Sequence, residues 1–89
     1  MKIVVKKFGG SSLSTQGQRL KAVQHVEFQL AQGYSVVVVV SAMGRKGDPY
    51  ATDSLLALVD ENGRNLGARE KDLLLSCGEI ISAAVMASL

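Results

Sequence analysis

The sequence predicts an α/β fold that opens on a parallel βαβ unit, and three observations lead to it. Ile3-Val4-Val5 and the run Val36–Val40 are strand-like apolar segments. Between them Leu20, Val23, Val26 and Leu30 recur at near-helical spacing. Both apolar runs lead within a few residues into glycine-bearing turns, at Gly9-Gly10 and at Gly44. A chain of 89 residues allows one small domain at most. With 47% hydrophobic and only 4% aromatic residues, its core must be built from aliphatic side chains.

The first strand is expected over Lys2–Phe8. Ser14 or Thr15 can cap the helix that follows, which runs to about Gln32, with Gly33 as its stop. Glu27 interrupts the apolar stripe, Phe28 lies off it, and His25 falls on the polar side with no second metal ligand nearby. Tyr34–Val40 is the second strand. Its five consecutive valines lack polar alternation, the pattern of a strand covered on both faces within a parallel sheet. The crossover between the strands is expected to be right-handed. Lys7–Gly10 and Ser41–Gly44 then share one rim of the sheet, where open α/β sheets bind ligands.

Arg45–Tyr50 combines glycine, charge and the only proline, and reads as a loop. Thr52 or Asp53 can cap a short helix to about Asp60 that turns Leu55, Leu56 and Val59 inward; Glu61–Asn65 is the next turn. From about Gly67 a long helix is expected, with Leu73, Leu74, Cys77, Ile80, Ile81, Ala84 and Leu89 as its apolar side. Gly78 in its middle costs roughly 1 kcal/mol relative to alanine. It marks either a tolerated weak spot or a close backbone approach to another element or a ligand. The helix carries no stop signal, and two strands are few for a parallel sheet with helices on both faces. The chain is therefore expected to be the front of a larger domain.

Composition narrows the function classes. A net charge of +2 is mild and scattered, which argues against nucleic acid and against an acidic membrane surface. Val36–Val40 is far too short to span a bilayer, and Lys2, Lys6 and Lys7 leave no room for a signal peptide. The single cysteine, Cys77, cannot form an intrachain disulfide and reads as a small buried hydrophobe. A cytoplasmic chain with no metal site of its own is the expectation.

The chemistry centres on Lys6-Lys7-Phe8-Gly9-Gly10-Ser11-Ser12. Adjacent glycines let main chain approach a ligand closely, and successive N–H groups in such a turn form a concave anion site. Lys7 adds a compact positive charge and Ser11 and Ser12 add hydroxyls, so the parts suit a phosphate. Taken alone, they also fit a plain strand-to-helix turn with a surface lysine. The lysine precedes the glycines, which excludes a Walker loop, and G-x-G-x-x-G is absent around them. Thr52, at a helix start, could bond a substrate carboxylate. Glu79, beside Gly78, could accept from a substrate ammonium; by itself it equally reads as a solvated helix carboxylate.

These residues carry a resemblance. Lys7-Phe8-Gly9-Gly10-Ser11-Ser12 resembles the K-[FY]-G-G-[ST]-S signature that opens aspartokinases. Val36–Gly44 is similar to their second strand and loop, and Ser76-Cys77-Gly78-Glu79 to their glycine-glutamate helix motif. The three occur in the family's order, and the likeness covers essentially all of the chain. The loop Gly44–Asp53 resembles the subtype inhibited by diaminopimelate.

The resemblance implies the amino-acid kinase (carbamate-kinase-like) fold, a three-layer αβα sandwich. It also implies ATP-dependent phosphorylation of the L-aspartate β-carboxylate, with Mg2+ carried by the nucleotide, in the biosynthesis of lysine, threonine, methionine and diaminopimelate. Lys7, Phe8, Gly9 and Gly10 then correspond to the ATP-phosphate segment, with Ser11, Ser12 and Gly44 beside it and Lys7 stabilising the transition state. Ser41, Thr52 and Glu79 correspond to residues that hold aspartate. Residues 1–89 match the front of the catalytic domain. The family's later catalytic aspartate, second lysine, adenine pocket and regulatory ACT domains have no counterpart in them. The isolated chain is accordingly expected to turn over little or nothing without the C-terminal part of the kinase. Two other readings stand beside this one. Open strand edges and helix faces favour a non-catalytic, self-associating homo-oligomer; the same fold could also serve another carboxylate or carbamate, against which Ser41, Thr52 and Glu79 argue.

Overall fold

In a computed structural model that describes residues 1–45, 47–59 and 67–89, β1 (Ile3–Phe8) and β2 (Ser35–Val40) pair in parallel. Lys46, Asp60 and the turn expected at 61–65 lie outside the described residues. Ile3 stands opposite Ser35 and Phe8 opposite Val40, so the two strands end level with each other. Side chains alternate along a strand. The register therefore places Val4, Lys6, Phe8, Val36, Val38 and Val40 on one face, and Ile3, Val5, Lys7, Val37 and Val39 on the other.

The crossover is α1 (Gln16–Ala31). Of the two candidate caps, Thr15 serves: its hydroxyl accepts from the Gln18 N–H at 3.2 Å. At the other end Gly33 takes a φ of +89°. The Gly33 N–H then bonds the Leu30 carbonyl and the Tyr34 N–H that of Gln29, the paired closure that a left-handed residue after a helix permits. This reversal sends the chain directly into β2.

The core forms where α1 and α3 (Ala68–Ala87) meet the first sheet face. Leu13, Ala22 and Met43 are its buried members, and Phe8, Val40, Ile81, Val85 and Met86 pack around them. Leu13 is wholly buried, worth roughly 2 kcal/mol in area removed from water. Both long helices thus lie on the same side of the sheet. The second face of β2 was expected to be covered as well; instead Val37 and Val39 are 49% and 42% exposed and Val5 is 61% exposed. A valine run reports apolar surroundings on both sides but not which segment supplies them.

Three further expectations are corrected. On α1 the buried residue is Ala22, while Leu20 and Leu30 are about half exposed. A small side chain lets the helix approach the sheet at that point. Val23, Val26 and Leu30 instead line an apolar groove of about 430 Å³ with Val38 and Met86, and Glu27 stands at it.

On α3 the inward side is Leu74, Gly78, Ile81, Ser82 and Val85, so only Leu74 and Ile81 of the expected side face inward; Leu73, Cys77, Ile80 and Ala84 are exposed. A helix that is apolar nearly all round gives no unique stripe, and the side with the smallest residues wins where packing is closest. Cys77 is accordingly an exposed free thiol rather than a buried hydrophobe. The hydroxyl of Ser82, fully buried, has no hydrogen-bond partner among the described residues.

Finally, α2 (Thr52–Leu56) starts from Ala51, with no side-chain cap, so Thr52 is its first residue and neither Thr52 nor Asp53 caps it. Leu55 is buried as expected, whereas Val59 is 48% exposed.

Candidate functional site

The level ends of β1 and β2 bring two turns side by side. After Phe8, Gly9 stays extended, and Gly10–Leu13 forms a 3-10 turn closed by the Ser12 N–H on the Gly9 carbonyl at 3.1 Å. The opening N–H groups of a helical turn have no acceptor within it. They are therefore available to an anion. Buried Leu13 fixes the far end of the turn. Arg19 on α1 donates to the Leu13 carbonyl at 2.8 Å and touches the Met43 sulfur at 3.7 Å.

The second turn is stitched to the first. The Ser41 N–H bonds the Phe8 carbonyl at 3.1 Å, and the Gly44 N–H bonds the Gly10 carbonyl at 2.8 Å. A methyl on Gly10 would lie 2.6 Å from the Gly44 oxygen and 2.7 Å from the Ala42 oxygen. Only hydrogen fits there. Gly44 needs its own glycine for a different reason: its φ is +91°, and the Asp48 side chain fills the space above its α-carbon.

The long helix reaches the same place through Gly78. A methyl there would lie 3.0 Å from Ala42 Cβ, 3.0 Å from Leu55 Cδ1 and 3.3 Å from the Tyr50 carbonyl. Of the two readings of this glycine, close backbone approach is the one observed. Ala42 is buried between the glycine turn and α3. Two segments separated by dozens of residues, the Gly10 turn and α3, thus share Ala42 of the second turn as a neighbour.

The individual site residues fall out as follows. Lys7 is exposed and emerges on the uncovered sheet face. The Phe8 side chain belongs to the core, and its carbonyl accepts from the Ser41 N–H. Gly9 is exposed, with none of the described residues within 4 Å of the position a Cβ would take; main chain there is open to an incoming group. Ser11 is half-buried, and its carbonyl accepts from the Ser14 hydroxyl. Ser12 is exposed, and Ser41 and Gly44 are half-buried in the second turn. Thr52 is exposed at the start of α2, and Glu79 is exposed one residue beyond Gly78. Close contacts therefore join Gly10, the Ser41–Gly44 turn and Gly78 around Ala42, whereas Lys7 and Glu79 are attached to different layers. Among the described residues no group of three His, Cys, Asp or Glu side chains could hold a metal ion. Nor is any helix among them long and apolar enough to cross a membrane.

Sequence reasoning missed Leu13, Arg19 and Asp48. For Asp48 a signal existed: an aspartate just after a glycine and before proline commonly bonds nearby backbone and fixes a turn. For Arg19 none did, because its partners Leu13 and Met43 are adjacent only in space.

Comparison with known proteins bears directly on this arrangement. Residues 2–89 match the sequence model described as the amino acid kinase family. The chain belongs to the amino acid kinase family. It is 56% identical over 89 residues to aspartokinase 1 of Bacillus subtilis (strain 168), covering all of this chain and 22% of that protein. It is 40% identical over 91 residues to an aspartokinase of Geobacillus stearothermophilus, covering 98% of this chain and 20% of that one. A solved aspartate kinase from Synechocystis superposes with a TM-score of 0.82 at 39% identity, over 96% of this chain and 14% of that one. The parallel βαβ start thus matches an aspartate kinase in backbone as well as in sequence. This amino acid kinase chain spans about a fifth of the length of the curated relatives it matches.

Proposed function

We propose that this chain is the front of the catalytic domain of an aspartate kinase, which transfers the γ-phosphoryl group of ATP to the β-carboxylate of L-aspartate. The observation that carries this reading is the stitched pair of glycine turns, closed at Gly44 N–H to Gly10 O, in a chain 56% identical along its whole length to an aspartokinase. A β-carboxylate oxygen attacks the γ-phosphorus, the bond to the β,γ-bridging oxygen breaks, and ADP leaves as the acyl phosphate forms.

Little covalent work falls to the protein; positioning and charge stabilisation carry such transfers. The Gly9 and Gly10 main chain would hold phosphate oxygens, and Ser11, Ser12 and Gly44 would border them. Lys7, exposed at the end of β1, would neutralise charge that builds on the transferring group. Mg2+ would arrive with the nucleotide. Ser41, Thr52 and Glu79 would hold aspartate, the first two through their hydroxyls and Glu79 through its carboxylate, which would accept from the ammonium group of the substrate.

The test uses a chimera in which this chain replaces the matching 22% of the Bacillus subtilis relative. An acyl phosphate reacts with hydroxylamine to give a hydroxamate. Aspartate-dependent hydroxamate together with ADP release is the expected result. Equal turnover with other carboxylates, or ATP hydrolysis that ignores aspartate, would contradict the assignment.

The uncovered sheet face supports a second reading for the 89-residue chain by itself. Ile3, Val5, Val37 and Val39, between 42% and 61% exposed, form one apolar patch beside open strand edges, a combination that favours association. Light scattering after size exclusion is expected to give a dimer or larger species. A monomer at micromolar concentration would rule this out.

A further inference from the structure

We propose that Asp48 is a positioning residue that ties the phosphate-side glycine turn to the substrate-side start of α2. This rests on the aspartate kinase reading for what the two sides bind, but the coupling itself stands on contacts. Asp48 sits in the loop between β2 and α2 and works in three directions. Its Oδ2 accepts from the Arg45 N–H at 2.8 Å, and its own N–H donates to the Arg45 carbonyl at 2.9 Å. This pair closes the loop on itself. Its side chain occupies the space directly above the Gly44 α-carbon, and Gly44 in turn donates to Gly10. Its carbonyl accepts from the Ser54 hydroxyl on α2 and from the Ala51 N–H at 3.3 Å, on either side of Thr52.

A continuous line of contacts therefore runs from Gly10 through Gly44 and Asp48 to the residues flanking Thr52. Phosphoryl transfer between two separately held substrates depends on their mutual alignment, and small displacements are costly in rate. Asp48 is half-buried and lies in a cavity wall with Arg19, Met43, Gly44 and Tyr50. It lines the junction between the two sides rather than the glycine cradle itself. Its carboxylate is used as an acceptor for main chain, a task an asparagine oxygen performs nearly as well.

The experiment compares Asp48→Ala and Asp48→Asn in the chimera described above, by steady-state kinetics and by hydrogen exchange over residues 42–56. The alanine variant is expected to lose about tenfold in kcat, with the KM for ATP changed less than about threefold. Exchange should rise at Gly44 and Arg45 and also at the α2 amides. The asparagine variant should restore kcat to within about threefold of the parent and return exchange to the parental pattern. Equal losses in both variants, or faster exchange at Arg45 that does not spread to α2, would overturn the coupling. So would an alanine variant with parental kinetics. Should the parent chimera fail to phosphorylate aspartate, the functional reading falls alone, and the spread of exchange from Arg45 to α2 still decides for or against Asp48.

Discussion

Gly10→Ala in the chimera is expected to lower aspartate phosphorylation at least 100-fold and to destabilise the fold by about 3 kcal/mol. The added methyl would sit 2.6 and 2.7 Å from two carbonyl oxygens, those of Gly44 and Ala42. Both obstacles are backbone, so no rotamer change relieves the clash. Relief requires the two turns to separate, which sacrifices the Gly44 N–H to Gly10 O bond, worth about 1 kcal/mol. Overpacking of this kind costs a further 1–3 kcal/mol, roughly. A shift of about 1 Å in a positioning element is enough for a rate loss near 100-fold.

The neighbouring glycine supplies the control. Gly9 has a φ of −77° and open space around its Cβ position. Gly9→Ala should melt within about 1 °C of the parent, a shift in keeping with surface substitutions that cost within about 0.5 kcal/mol. It should still weaken ATP binding if phosphate occupies that open side. Thermal melts and ATP titrations of both variants separate the two effects. A Gly10→Ala variant that melts and turns over like the parent would show that the turns are not packed as described.

Lys7→Ala is the second large effect, and its signature is the opposite one. Removal of one group that stabilises developing charge in a transition state typically costs 100- to 1000-fold in kcat, as an order of magnitude. Lys7 is exposed and lies outside the core cluster, so stability should change by less than about 0.5 kcal/mol. The KM for aspartate should stay within about threefold. Initial-rate kinetics with varied aspartate and varied ATP provide the check. Parental kcat would remove Lys7 from the chemistry; a large rise in the aspartate KM at unchanged kcat would move it to substrate binding.

The strands and the crossover helix were readable because each is written locally. A valine run, a threonine before the helix and a glycine after it define β2 and both ends of α1 with no reference to the rest of the chain. The rim was readable for the same reason, since parallel strands joined by one helix must end on the same side. What was not readable depends on which surfaces meet. Ala22 displaced the larger residues of its helix from the core because only a small side chain allows close approach. The inward side of α3 could not be chosen from a sequence apolar on nearly every side, and its buried members are the glycine and the serine rather than any leucine.

The functional residues divide in the same way. Gly9, Gly10, Gly44 and Gly78 stood out as glycines; a side chain would clash at Gly10 and Gly44 and would be tightly crowded at Gly78. Asp48 and Arg19 did not stand out, because their importance lies in carbonyls and amides distant in sequence or hidden in a loop. Lys7 and Glu79 were noticed for their charge, yet they hang from different layers, and a bound substrate pair is what would bring them to a common task.

The most direct test is a crystal structure of the chimera with a non-hydrolysable ATP analogue and L-aspartate. Phosphate oxygens are expected within hydrogen-bond distance of the Gly9 or Gly10 amides, with Lys7 Nζ on the terminal phosphate and the aspartate carboxylate facing it from the side of Thr52 and Glu79. A triphosphate bound elsewhere, with the Gly9-Gly10 turn left to solvent, would contradict this placement.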